Sequence, residues 1–171
     1  MALSVIDQTG LSQTQIANAI NMPTGSILQV VTTNLNTYIS TSSTSITASS
    51  LSASITPQFS TSKILVLITM NGIINTSTTT GSCAETYLYR AGSFLSYIDN
   101  VSGYIPSAGN TLQQYYGALS YTYLDSPAST SALTYAVYWR LAGGSNGAIY
   151  LNNYVSGAGT TGSSITLMEI R

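Results

Sequence analysis

Short runs of β-branched and aromatic residues, broken every few positions by Gly, Pro, Asn or Ser, set the pattern of this chain from Ser26 onward and predict strands throughout. Leu51, Ala53 and Ile55 alternate with Ser52, Ser54 and Thr56, the period-two pattern of a strand with one dry face. Ile64 to Ile68 is apolar without interruption, so the segment from Lys63 to Ile74 reads as a central strand covered on both faces. Further strands are expected over 26–33, 37–47, 83–90, 94–98, 113–124, 132–141, 148–155 and 163–170. Allowing for breaks and mergers among these runs, the pattern suits roughly eight strands, a number common to sandwiches and jelly rolls. Ala91 and Gly92 mark a hairpin turn, and the joining segment Asp125, Ser126 and Pro127 carries a turn signal, because Asp bonds its own backbone and Pro fixes φ. The expected fold is an all-β, antiparallel, jelly-roll-like β-sandwich over residues 23–171.

The first 22 residues follow a different rule. Ser12 and Gln15 have capping-box spacing ahead of Ile16, Ala17, Ala19 and Ile20, which predicts a helix of about two turns. A helix that short is marginal alone and needs a partner to hold it. Met22, Pro23, Thr24 and Gly25 then supply turn chemistry. Residues 1–22 therefore read as an anchoring arm, with Leu11, Ile16 and Ile20 as its candidate contacts.

Charge changes the picture more than hydropathy does. Lys and Arg total 4, Asp and Glu total 5, and there is no His, so Ser and Thr, about three residues in ten, must cover the surface. A net charge of -1 gives copies almost no mutual repulsion, which suits a protein living in an assembly. Four scattered cations cannot neutralise a run of phosphates, which argues against nucleic acid as a partner. Cys83 has no second cysteine to pair with and no histidine to share a zinc ion, and it reads as core filler. The apolar stretch from Ile64 to Met70 is far short of the about 20 residues that a helical membrane span requires. The opening Met1, Ala2, Leu3, Ser4 lacks a basic n-region and a long apolar h-region, so no secretory signal is expected.

Four segments, taken together and in order, resemble a family of short structural proteins of marine and freshwater tailed bacteriophages, including cyanophages. They are Gly25-Ser26-Ile27-Leu28-Gln29-Val30; Ser54-Ile55-Thr56-Pro57 leading to Ser62-Lys63-Ile64-Leu65-Val66; Tyr123-Leu124-Asp125-Ser126-Pro127-Ala128 leading to Tyr135 and Trp139-Arg140; and Ser164-Ile165-Thr166-Leu167-Met168-Glu169-Ile170. The resemblance implies a jelly-roll sandwich made in the host cytoplasm and carried on the virion surface. It implies a fibre or spike component with a passive host-contact surface, or else a decoration protein clamping the capsid. By analogy it further implies a homotrimer that meets other virion proteins through the arm. It carries no catalytic residues, metal or cofactor.

Enzymatic chemistry has little to work with. A glycan depolymerase needs two carboxylates flanking a glycosidic bond, and Glu85, Asp99 and Asp125 are the only candidates in the domain. The plainer reading is that Glu85 and Arg90 pair or cap at a strand surface while Asp99 and Asp125 begin turns. A Ser/His/Asp arrangement is excluded without histidine. No acidic cluster suits Ca²⁺, and Asn100, Asn152 and Asn153 read as turn residues. The 13 tyrosines exceed what a small core needs. A ring with a polar tip serves subunit interfaces and sugar-stacking surfaces alike, which makes Tyr115, Tyr116, Tyr121, Tyr123, Tyr150 and Tyr154 candidate interface or host-glycan contacts. Trp139 shares a strand face with Tyr135 and Val137 and belongs to the core.

The domain boundary makes one prediction. A chain lacking residues 1–21 should remain soluble and give a cooperative thermal transition with β-type circular dichroism, while losing its place on the particle; an unfolded truncation would put the arm inside the core.

Overall fold

Successive side chains along an extended backbone point to opposite faces, and this alternation sorts the runs above into a dry side and a wet side. The computed structural model describes residues 22–78, 81–102, 104–106, 113–143, 147–152 and 162–171. The arm, with Leu11, Ile16 and Ile20, lies outside the described residues apart from Met22. Ten strands form within them: β1 Ile27–Leu35, β2 Ile39–Thr41, β3 Thr47–Ile55, β4 Lys63–Ser77, β5 Cys83–Arg90, β6 Ser93–Ser102, β7 Gln113–Asp125, β8 Leu133–Ala142, β9 Gly147–Leu151 and β10 Ser163–Ile170. All pairings are antiparallel. The four-stranded sheet runs β3-β8-β5-β6, and the six-stranded sheet runs β1-β10-β4-β9-β2 with β7 also paired to β4. The two sheets pack face to face as an all-β sandwich.

The larger sheet is organised by β4. β7 follows one edge of it from Ile64 to Ser77, so β10 and β9 must share the other, β10 taking Lys63 to Thr69 and β9 taking Ile74 to Ser77. β1 continues the sheet beyond β10, and β2 continues it beyond β9. On that shared edge β10 stops at Thr69 and β9 starts at Ile74, and across from the gap the β4–β7 ladder shifts register between Met70 and Ile73. Backbone groups in that gap need other partners. Buried Asn152 supplies them: its N–H donates to the Asn71 carbonyl at 3.0 Å, and its Nδ2 donates to the carbonyls of Leu35 (2.7 Å) and Thr37 (3.0 Å), which joins β1 to β2. Ser163 donates to Asn152 Oδ1 at 2.5 Å and accepts from the Asn71 N–H at 3.1 Å. Asn152 sits at φ 60°, a left-handed conformation that asparagine tolerates better than most residues.

The core fills the space between the sheets. Ile64, Val66, Ile68 and Met70 of β4, Ile165 and Leu167 of β10, and Ile149 and Leu151 of β9 meet Leu51, Ala53 and Ile55 of β3, Leu88 of β5, and Leu133, Tyr135, Val137, Trp139 and Leu141 of β8. Trp139 does face inward beside Tyr135 and Val137, as alternation requires. Cys83 is buried, and its thiol donates to the Asn100 carbonyl at 3.5 Å. The expected double cover of β4 is half realised. Its even-numbered residues from Ile64 to Met70 are buried, whereas Leu65 and Leu67 face outward and are only half-buried, because no described element lies over the outer face of this sheet.

Two buried carboxylates close the open margins. Asp125, at the end of β7, accepts from Arg90 Nη1 at 2.5 Å and from the Tyr135 hydroxyl at 2.6 Å, tying the larger sheet to two strands of the smaller. Glu169 of β10 accepts from Gln29 Nε2 at 2.5 Å and from the Gln58 N–H at 2.7 Å, fixing the connection between β3 and β4. Arg90 thus pairs with Asp125 and not with Glu85. The reason is parity: five positions separate Glu85 from Arg90, so on one strand they point to opposite faces.

Removing the Asn152 side chain should strand two carbonyls and a hydroxyl in a buried seam. We expect Asn152→Ala to lower the free energy of unfolding by about 3 kcal/mol in urea titrations, summing roughly three modest hydrogen bonds. A loss below about 1 kcal/mol would mean that the seam holds without them.

Candidate contact face on the smaller sheet

Once Tyr135, Val137, Trp139 and Leu141 are committed to the core, Tyr138 and Arg140 must face outward from β8. On β5, inward Ala84, Thr86 and Leu88 likewise leave Glu85, Tyr87 and Tyr89 on the outer face. Register then sets Glu85 opposite Arg140 and Tyr87 opposite Tyr138 on one side. On the other side Tyr87 meets Tyr97 and Tyr89 meets Phe94 of β6. The β5–β6 turn brings this about as its sequence predicts: Ala91 and Gly92 both take positive φ (46° and 81°), the two-residue turn whose twist matches a hairpin.

The result is a continuous patch of five rings. Tyr89 and Tyr138 are stacked with centroids 4.2 Å apart, and Tyr89 meets the edge of Phe94 at 5.8 Å. Phe94 in turn lies 5.4 Å from Tyr97, and Tyr97 lies 5.1 Å from Tyr87. The three edge-on and tilted separations fall in the favoured range for aromatic pairs, and the stacked pair is closer still, so each ring orients the next. Tyr87 is 2% exposed beneath the others, while Phe94 and Tyr97 stand 49% and 57% exposed on top. A buried ring supporting two open ones is a platform set before any ligand arrives.

A closed ion pair borders the platform. Arg140 Nε lies 2.6 Å from Glu85 Oε2, and the Tyr87 hydroxyl donates to the same oxygen. Burial pushes the Glu85 carboxyl up, but its bonds to Arg140 and Tyr87 outweigh this and hold it below its ordinary value. Burial and the bond to Glu85 push the Tyr87 hydroxyl up to about 12. Burial, followed by the nearby Glu85 and Asp99 carboxylates, raises the Cys83 thiol. The thiol is therefore kept away from the thiolate form that makes cysteine reactive.

The tyrosines chosen from the sequence lie elsewhere. Tyr121 and Tyr123 point inward from β7 and pack against the core, and the Tyr121 hydroxyl donates to Ser96 Oγ at 2.7 Å across the side of the sandwich. Tyr150 stacks on half-exposed Tyr38 at 5.8 Å where β9 meets β2. Tyr115 and Tyr116 pair through their backbones with Asn75 and Ile74, while Tyr154 lies outside the described residues. Sequence reasoning passed over Tyr87, Tyr89, Phe94, Tyr97 and Tyr138. The signal was present in the two-residue step from Tyr87 to Tyr89 and in the hairpin turn, which folds Phe94 and Tyr97 back across them. Among the described residues no three Cys, Asp or Glu side chains gather as a metal-binding group.

Comparison of the chain with protein-family models and with curated proteins finds no match.

Because the Glu85 value is lowered on folding, its pair with Arg140 stabilises the protein above the ordinary carboxylate range, near 4.3, and loses that effect as pH falls through the lowered value. Tyr87 runs the other way, its contribution being complete below about 10 and lost as pH rises toward about 12. We expect the stability difference between wild type and Arg140→Ala to be flat from about pH 6 to pH 9 and to shrink below about pH 4. Carboxyl NMR titration should show Glu85 moving up in the variant.

Proposed function

We propose that this chain is an exterior structural component of a tailed-phage virion, of fibre or spike type, and that the ring face of the smaller sheet is its passive host-contact surface. The observation that carries the reading is the five-ring platform, with Phe94 and Tyr97 half-exposed on an otherwise hydroxyl-rich, nearly uncharged protein. Large rings with polar tips suit contact surfaces because they offer area at small conformational cost. The bordering charges neutralise each other, which favours an uncharged ligand such as a neutral cell-surface glycan over an anionic one. The resemblance of the four segments quoted above adds the virion setting, the jelly-roll connectivity, assembly as a homotrimer and attachment through the arm. Contact without turnover fits the state of Glu85: a general acid for glycoside cleavage needs a raised carboxyl, and this one is lowered and held by an arginine.

A second reading, capsid decoration, rests on the same resemblance of the four segments. Position on the particle separates the two. Gold-labelled antibodies against the chain should mark a few sites at the tail or at a vertex; label in hundreds of copies over the shell would favour decoration, and unlabelled particles would sink both readings. On the fibre reading, particles carrying Phe94→Ala with Tyr97→Ala should adsorb to host cells about tenfold more slowly or worse, in line with the loss of about 1.4 kcal/mol of contact energy. Adsorption at the wild-type rate would remove the ring face from the proposal.

A further inference from the structure

The outer face of the larger sheet poses a separate problem. Val30 of β1 is registered with Met168 of β10, Met168 with Leu65 of β4, and Leu65 with Leu124 of β7. Four aliphatic side chains thus form one straight row across four strands, on the side away from the core. Val30 is 53% exposed and Leu124 is 50% exposed, so the row is not a margin of the interior. The next row on the same face is Thr32, Thr166, Leu67 and Thr122, and the one after it carries only Asn, Ser and Thr. The first charge on this face is Lys63, which lies beyond the aliphatic row at the end of β4.

We propose that this face is the contact between copies of the chain, with the aliphatic row supplying its apolar part. Three observations choose a second copy over other occupants. The uninterrupted apolar run of β4 is the sequence of a strand covered on both faces, and the described residues cover only one, which leaves an apolar face for protein to bury. Aliphatic side chains have neither the hydrogen-bonding groups nor the ring faces that hold a sugar, which separates this face from the ring platform. Above all, the three rows carry no charge. Where copies of one face gather around a symmetry axis, like groups approach like, and a charged face would repel its copies. A different partner would find no charge here by which to be recognised. The polar groups are also partly satisfied beforehand, since the Thr32 and Thr166 hydroxyls bond each other at 3.0 Å and so lose less on leaving water.

The inference rests on the reading that the chain works in several copies, but it concerns a face distinct from the rings, so the two can fail separately. Light scattering on the full-length protein over a wide concentration range should give a multiple of the chain mass. Val30→Glu and Leu124→Glu, both at half-exposed positions, should each drop the mass to one chain while leaving the circular dichroism unchanged, and Phe94→Glu should leave it multimeric. Thr122→Cys, exposed on the edge strand β7, provides an independent readout that does not depend on a destabilising charge: mild oxidation should link two chains by a disulfide. A wild-type chain at its own mass would mean that residues 1–21 or another protein covers the row, and would overturn the proposal while leaving host adsorption through the ring face untouched. Charged variants that assemble like wild type would overturn it equally.

Discussion

The pairing of β4 with three neighbours constrains everything else in this protein. A strand has only two edges. Fifteen residues of β4 give one edge wholly to β7 and divide the other between β10 and β9. That division lets a chain with short connections build a sheet whose two ends have different neighbours. It also creates a seam where ladder hydrogen bonds stop and restart. Asn152, Ser163 and Asn71 answer that need with side-chain amides and a hydroxyl, the groups able to imitate a peptide's donors and acceptors inside a core. The left-handed backbone at Asn152 is the local cost of placing that amide where three segments meet.

Scarcity of charge sharpens the role of each ionised group. Asp125 and Glu169 are buried, and each is surrounded by donors from separate segments, so each works as a clamp across the fold more than as a surface charge. Such groups favour one arrangement because any slip leaves a buried carboxylate without partners. Tyr135 illustrates the logic. Its ring is wholly buried in the core while its hydroxyl reaches Asp125, and burial, together with that bond, keeps the phenol well above its ordinary value. The surface is left to serine and threonine, which hydrate well and repel nothing.

Much of this was legible in the sequence, and the limits have a common cause. Period-two runs located most strands, Ala91 and Gly92 gave the β5–β6 hairpin, and alternation placed Trp139 inside. The stretch over 37–47 was expected as a single strand, yet only Ile39–Thr41 and the start of β3 at Thr47 are paired; between them the Ser43 hydroxyl accepts from the Ser45 N–H and donates to the Ser45 carbonyl, a local turn in place of a ladder. The candidate tyrosines were drawn from the densest runs. Density along the chain is a poor guide to a surface patch, because a patch on a sheet is built across strands, and cross-strand neighbours depend on register. Tyr138 is separated from Tyr89 by 49 positions in sequence and by 4.2 Å between ring centroids. The same blindness hid the pairing of Glu85 with Arg140, since only register brings them opposite one another.

The two outer faces of the sandwich therefore divide surface chemistry between them. On the smaller sheet, rings bring quadrupoles and hydroxyls that remain compatible with water, so the platform can stand open. On the larger sheet, Val30, Met168, Leu65 and Leu124 gain nothing from water and supply nothing directional. A chain whose net charge is only -1 has no strong repulsion with which to keep such a row apart from its neighbours. In an ordinary soluble monomer that combination would be a hazard for association. In the particle component proposed above it would become a means of assembly, with the aliphatic face turned toward its own kind and the aromatic face turned outward.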